Sequence, residues 1–184
     1  MSRVSFPFYW RGCALLALSV ALLLPGLARA DAPVKISGED VYGKPVTVNA
    51  PGHYTFVIYT NPDLEDDSRT MTRALDSYRS NSNFVLVSVV DLRGGVPPTM
   101  RGIVRTEIRN ATAKENQRLE KIGSVGNHSP VIADFNGAIL NAIGWDSIYD
   151  EVQMVVYDPK GHEIKRLTNI SDAKQVKKVA ESIL

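Results

Sequence analysis

The chain has 184 residues, 44% of them hydrophobic and 22% charged, with 21 lysines and arginines against 20 aspartates and glutamates. That balance excludes a general nucleic-acid coat, which would be strongly basic, and 13 glycines with 10 prolines are too few for a collagen-like or low-complexity chain. The lone cysteine, Cys13, can build neither an internal disulfide, nor a CxxC pair, nor a cysteine-rich zinc site.

Residues 1–30 read as an export signal. Arg3 and Arg11 form a basic start without acids, and Cys13 to Leu24 is apolar except for Ser19. The run suits a signal core and falls short of the roughly 20 residues that span a bilayer. Pro25 and Gly26 then break the helix, and Ala28-Arg29-Ala30 supplies a small-x-small cleavage site before Asp31. An uncleaved anchor is the alternative. Cleavage leaves a single expected domain, residues 31–184, with no cysteine and no transmembrane segment. It also removes Arg3, Arg11 and Arg29, so 18 basic residues face 20 acidic ones. The periplasm is the expected compartment, and secretion the other option. A chain of this length can rest on its core alone, burying roughly 68–70% of its unfolded surface.

In chain order, Val34 to Ser37 and Pro45 to Val48 read as short strands around a turn-rich link. Tyr54 to Thr60 (YTFVIYT) is the continuous apolar and β-branched run of a strand covered on both faces. A helix is expected from Leu64 to about Arg79, with acids at its start and Met71, Leu75 and Tyr78 at helical spacing. Phe84 to Leu92 is a second apolar strand. Thr99 to about Ile122 is a long helix whose Met100, Val104, Ile108, Ala111, Leu119 and Ile122 fall on one face. Val131 to Asp134 is a strand closed by an Asn136-Gly137 turn. Glu151 to Tyr157 and His162 to Leu167 form a hairpin around Asp158–Gly161. Asn169 or Ser171 is placed to cap a last helix with Ala173, Val176, Val179, Ala180 and Ile183 on its apolar face. Right-handed crossovers make the two long strands parallel neighbours. The fold class is α/β: a three-layer α/β/α sandwich on a mixed sheet, with a C-terminal antiparallel hairpin and a terminal helix.

That element order, with the segment Ser129–Gly161, resembles the thioredoxin-like fold in its exported, thiol-disulfide-reductase-like and peroxiredoxin-like branch. Pro130, Val131, Asp134 and Gly137 match the branch's strand-turn, Gly144-Trp145 approximates its link, and Asp158, Gly161 and Ile164 match its last strand pair. The chain is also similar to the small exported YtfJ-type thioredoxin-like family, which lacks paired cysteines. In redox members a CxxC pair opens the first long helix, where the helix dipole lowers the thiol pKa. Here that place is Asn61 to Asp67 (NPDLEDD), and no proline stands near Val152, where the family's cis-proline belongs. Without a sulfur nucleophile, thiol–disulfide exchange by residues 31–184 is excluded.

The resemblance implies a redox-inactive protein that binds non-covalently, or serves as a scaffold or accessory subunit, with an envelope protein as partner. Its expected groove is Asn61, Pro62, Asp63, Leu64, Glu151, Val152 and Gln153, with Trp145 and Tyr149 either nearby or in the core. A second candidate surface is the basic stripe Arg101, Arg105 and Arg109, four residues apart on one helix; the bland reading pairs it with Glu107, Glu115 and Glu120. The alternative function is an enzyme of non-thiol chemistry using Asp63, Asp67 and His128 or His53, with or without a metal. His162 stands apart, and no G-x-S-x-G or H-x-x-x-H motif is present. The cluster Asp63, Glu65, Asp66 and Asp67 lacks EF-hand spacing and reads as helix-dipole compensation. No cofactor, metal or nucleic-acid partner is expected.

Overall fold

The computed structural model describes residues 33–124, 129–145 and 150–184. Strands β1 (Ser37–Glu39) and β2 (Pro45–Thr47) form a small antiparallel hairpin. The main sheet contains β3 (Tyr54–Thr60), β4 (Phe84–Asp91), β5 (Val131–Asp134), β6 (Val152–Tyr157) and β7 (Glu163–Ile170). Its order is β5-β4-β3-β6-β7, with β3, β4 and β5 parallel and the β6–β7 hairpin antiparallel. The helices are α1 (Glu65–Arg73), α2 (Arg101–Lys121), α3 (Ala138–Ile143) and α4 (Ala173–Ile183).

The centre of the sheet follows from composition. β3 and β6 are apolar along almost their whole length because each has a neighbour on both edges and a layer on both faces. Pleating sends Val57, Tyr59, Val87 and Val155 to one face, against Ile139, Leu140 and Ile143 of α3 and the hairpin residues Ile36 and Val48. It sends Phe56, Ile58, Leu86 and Met154 to the other, against Met71 of α1, Leu75 just after it and Val176 of α4. The fold class expected from the sequence is the one observed.

Several local expectations differ. The first strand starts at Ser37 instead of Val34, because the Asn49 side chain takes the main-chain groups there. It accepts from Ile36 N at 2.9 Å and donates to Val34 O at 2.9 Å. The first helix stops at Arg73 and tightens to a 3₁₀ turn at Asp76–Tyr78, where Leu75 N bonds to Thr72 O. The expected turn at Asn136-Gly137 leads into α3, a helix the sequence pattern does not indicate. The Asp134 carboxylate accepts from the backbone N–H of Ile139 and Leu140, at 3.0 and 3.1 Å, and fixes that helix start. The cap of α4 is Asp172, which accepts from Lys174 N, while Asn169 lies within β7 at φ +59°.

The helix α2 departs most. Of its expected apolar face only Leu119 is buried; Met100 and Ile122 are about half exposed, and Ile103 is 60% exposed. Polar links hold α2 near both ends. Arg109 donates to the Val41 carbonyl and Arg105 reaches Glu39 at 3.3 Å. Toward the C-terminal end, Arg118 binds Asp76 at 2.5 Å and Glu115 binds Arg73 at 2.9 Å.

Candidate functional site

At the carboxyl end of β3 the chain turns sharply into α1. Asn61 caps a 3₁₀ turn over Pro62–Leu64 by accepting from Asp63 N at 2.9 Å, and Pro62 supplies the fixed φ of its first position. β6 begins directly opposite, with Tyr59 paired to Gln153 in the ladder. Asn61, Leu64, Glu151 and Gln153 therefore meet, together with Tyr59, Thr60 and Asp91, around a recess of about 10 Å³. The other three residues of the expected groove go elsewhere. Asp63 is exposed, Pro62 lines an adjoining cavity that Thr60 and Asn61 also border, and Val152 is 1% exposed in the core on the α1 and α4 face.

The recess is rich in unsatisfied polarity. The Gln153 side chain is buried, and neither its Nε2 nor its Oε1 has a hydrogen-bond partner; Glu151 Oε2 and the Tyr59 hydroxyl are in the same condition. Each such group costs roughly 1–3 kcal/mol. Burial pushes the Tyr59 phenol well above its usual pKa, and the nearby carboxylates of Asp91 and Asp134 push it further, with Arg93 opposing them. Arg93 grips Asp91 through Nε at 3.1 Å and Nη2 at 3.0 Å. Sequence reasoning missed Tyr59, Asp91, Arg93 and Asp134. The available signal was an aspartate ending each of two apolar parallel strands, at the edge where α/β sheets gather ligands. Trp145 is a core residue, edge-on to Tyr59 at 5.5 Å and covered by the Arg166 guanidinium at 4.8 Å. Tyr149 lies outside the described residues.

The basic stripe is committed to the protein's own surface. Arg101 and Arg105 stand over the Phe135 ring at 5.3 and 5.9 Å, and Arg109 stands over Tyr42 at 5.7 Å. Its ionic partner is Glu39 on β1, not the glutamates of α2 itself. In the acid cluster, Glu65 and Asp66 both engage Arg69, while Asp63 and Asp67 are exposed without a shared ligand geometry. His162 lies 3.6 Å from Asp158 in the β6–β7 turn, and His53 lies in the loop before β3. His128 is outside the described residues. Among the described residues no group of three or more His, Cys, Asp or Glu side chains is placed to hold a metal ion. None of their helices is long and apolar enough to cross a membrane.

A second space opens between α1 and α2. It is a cavity of about 780 Å³, floored by Ser88, Val90 and Leu92 of β4 and its exit and roofed by Val104, Ile108 and Ala111 of α2.

No family profile matches the chain, and no curated protein matches it. Solved structures do. One is a thioredoxin-family thiol:disulfide interchange protein from Chlorobium tepidum, 16% identical, covering 82% of this chain and 93% of its own, with a TM-score of 0.55. Another is the pneumococcal exposed lipoprotein thioredoxin of Streptococcus pneumoniae, 12% identical over 81% and 99% of the two chains, TM-score 0.56. A third is a secreted disulfide oxidoreductase of Mycobacterium tuberculosis, 10% identical over 84% and 100%, TM-score 0.54. The chain has a thioredoxin-like α/β fold, and its structural neighbours are of the thiol-disulfide oxidoreductase type. It carries one cysteine, Cys13.

Proposed function

We propose that this protein is an exported, redox-inactive thioredoxin-like binding protein of the cell envelope, with residues 1–30 as its export signal and residues 31–184 as its working domain. The neighbours described as exposed or secreted are consistent with that compartment. The absence of cysteine from residues 31–184 removes the nucleophile that disulfide exchange requires. The site left behind binds instead of reacting. It docks an extended segment of a protein partner across Asn61, Leu64, Glu151 and Gln153.

The observation that carries this reading is the Gln153 amide, 1% exposed, with a donor and an acceptor both unused beside the recess. A main-chain amide offers the complementary acceptor and donor, so one inserted peptide group satisfies both ends at once. The recess holds little more than one water-sized group, so a single carbonyl or amide of the docked segment enters it.

The test is in-cell photo-crosslinking from position Leu64 in the producing organism, with a second probe at Arg105. A discrete protein adduct from Leu64, lost in a Gln153→Leu background, supports the docking site and names the partner. An adduct from Arg105 alone moves the function to the α2 face. Silence at both positions overturns protein docking.

A further inference from the structure

The cavity between α1 and α2 is a second site that adjoins the recess at Gln153, the two sharing Thr60 and Asn61 in their walls. Its size lies within the range of small-molecule pockets, and its floor and roof are mainly apolar. The sheet face beneath is unfinished. Ser88 and Val90 of β4 and Val131 of β5 remain only half-buried, whereas Phe84 and Leu86, earlier on the same face of β4, are buried against the α1 and α4 layer. α2 cannot settle onto this floor while its side chains hold it at two places. Arg109 and Arg105 tie it to the β1–β2 region, and Arg118 and Glu115 tie it to the α1 side.

One end of the cavity carries an excess of positive charge. Arg79 and Arg118 share the Asp76 carboxylate, at 2.9 and 2.5 Å. Arg118 and Arg73 share Glu115, at 2.7 and 2.9 Å. Three guanidiniums are thus served by two carboxylates, and Arg73, Arg79, Arg118 and Glu115 all line the space. Arg79 is 3% exposed and its remaining contact is the neutral Ser129 hydroxyl, so the excess is partly desolvated. Lys114 adds to it on α2, and the unpaired acid in the lining, Glu107, lies about two helical turns away from Glu115. Guanidiniums short of a counter-charge, Arg79 buried and Arg73 and Arg118 partly exposed, select an anion, and a carboxylate or phosphate fits their fork.

We infer that this cavity binds an amphipathic anion, an apolar chain with one carboxylate or phosphate head. The chain lies along Val90, Val104 and Ile108, and the head completes the charge of the Arg73–Arg79–Arg118 cluster.

The test titrates the full chain with dodecanoate, dodecyl phosphate and dodecan-1-ol by calorimetry. The expected result is saturable binding of one or both anions, with the uncharged alcohol about tenfold weaker or worse. Preference for dodecanoate points to a free fatty acid as the natural source, and preference for dodecyl phosphate to a phospholipid-derived one. Ala111→Trp projects an indole into the cavity from an exposed helix position, across the path of the chain between Val104 and Ile108, and abolishes binding while far-UV circular dichroism is unchanged. Arg73→Gln brings the cluster to charge balance and weakens the anions about tenfold without changing the alcohol. Absence of saturable binding up to about 1 mM overturns the inference. So does binding that is indifferent to Ala111→Trp, because the amphiphile would then sit elsewhere.

Discussion

The side chain of Arg93 lies directly over Gly137: its Cδ is 2.3 Å from where a β-carbon on residue 137 would stand. The same arginine grips Asp91 at the end of β4, and Gly137, at φ +74°, begins the turn into α3. One glycine therefore lets a guanidinium cross the ends of two parallel strands. Gly137→Ala is expected to cost roughly 1–3 kcal/mol in urea unfolding, from the left-handed backbone and the clash together. Arg93→Ala relieves the clash but leaves the left-handed backbone, and separately removes the ion pair with Asp91. In a double-mutant cycle the two changes should couple by at least about 0.5 kcal/mol, and strict additivity would refute the account.

The buried amide of Gln153 gives a prediction of opposite sign. It occupies a core strand with neither end bonded. Gln153→Leu keeps the volume and removes the desolvation penalty, so the isolated protein should gain about 1 kcal/mol in denaturant unfolding. A polar group retained at a stability cost is expected where function needs it, and the same variant should lose the Leu64 crosslink. Loss of stability in Gln153→Leu would mean that the amide is satisfied in the free protein, and would undercut the docking site.

The α2 arginines are expected to differ from one another. Arg109 sends Nε and Nη2 to the Val41 carbonyl, at 3.1 and 2.9 Å, while stacking on Tyr42. Lysine cannot reproduce a planar fork. Arg109→Lys should therefore cost roughly 1 kcal/mol in thermal or urea unfolding. Arg101 has only the Phe135 ring among its described contacts, and Arg101→Lys should stay within about 0.5 kcal/mol of the parent. Equal effects at both positions would show that the stripe acts as general surface charge.

These contrasts mark where the sequence was legible. β3, β4 and β6 are readable because their apolar runs match a strand buried on both faces. Asn61, Leu64, Glu151 and Gln153 are reached through the resemblance to the thioredoxin-like fold, which sets the end of β3 opposite the start of β6, as the Tyr59–Gln153 pairing does here. α3 is not readable: six residues make fewer than two turns, and its start depends on Asp134 reaching Ile139 and Leu140. The burial of α2 is not readable either. Its period is helical, but ion pairs to residues far along the chain decide how near the sheet it sits. Arg73 and Glu115, or Arg105 and Glu39, have no local spacing that reveals them as partners.

The Glu115 pair also sets an acid limit on stability. Burial alone would raise the Glu115 pKa, but hydrogen bonds and charge from Arg73 and Arg118 outweigh it and hold the carboxyl below its ordinary 4.5. A carboxyl whose pKa is lower folded than unfolded contributes stability above its unfolded value and loses it as pH falls through the folded one. Asp158, lowered by the backbone N–H groups of His162 and Lys160 against the effect of burial, acts in the same direction. Stability should therefore be flat near neutrality and decline below about pH 5. In Glu115→Gln the decline should be shallower, because one titrating contributor is gone, while stability at neutral pH falls by roughly 1 kcal/mol as Arg73 and Arg118 lose a shared carboxylate. Because Glu115 also balances the arginine cluster, the neutral-pH loss in Glu115→Gln should shrink when Arg73 is replaced by Gln in the same chain. Urea unfolding of the four proteins between about pH 3 and about pH 7 measures both effects. An acid slope identical in Glu115→Gln and the parent would assign the acid sensitivity to other carboxylates and remove this pair from the account.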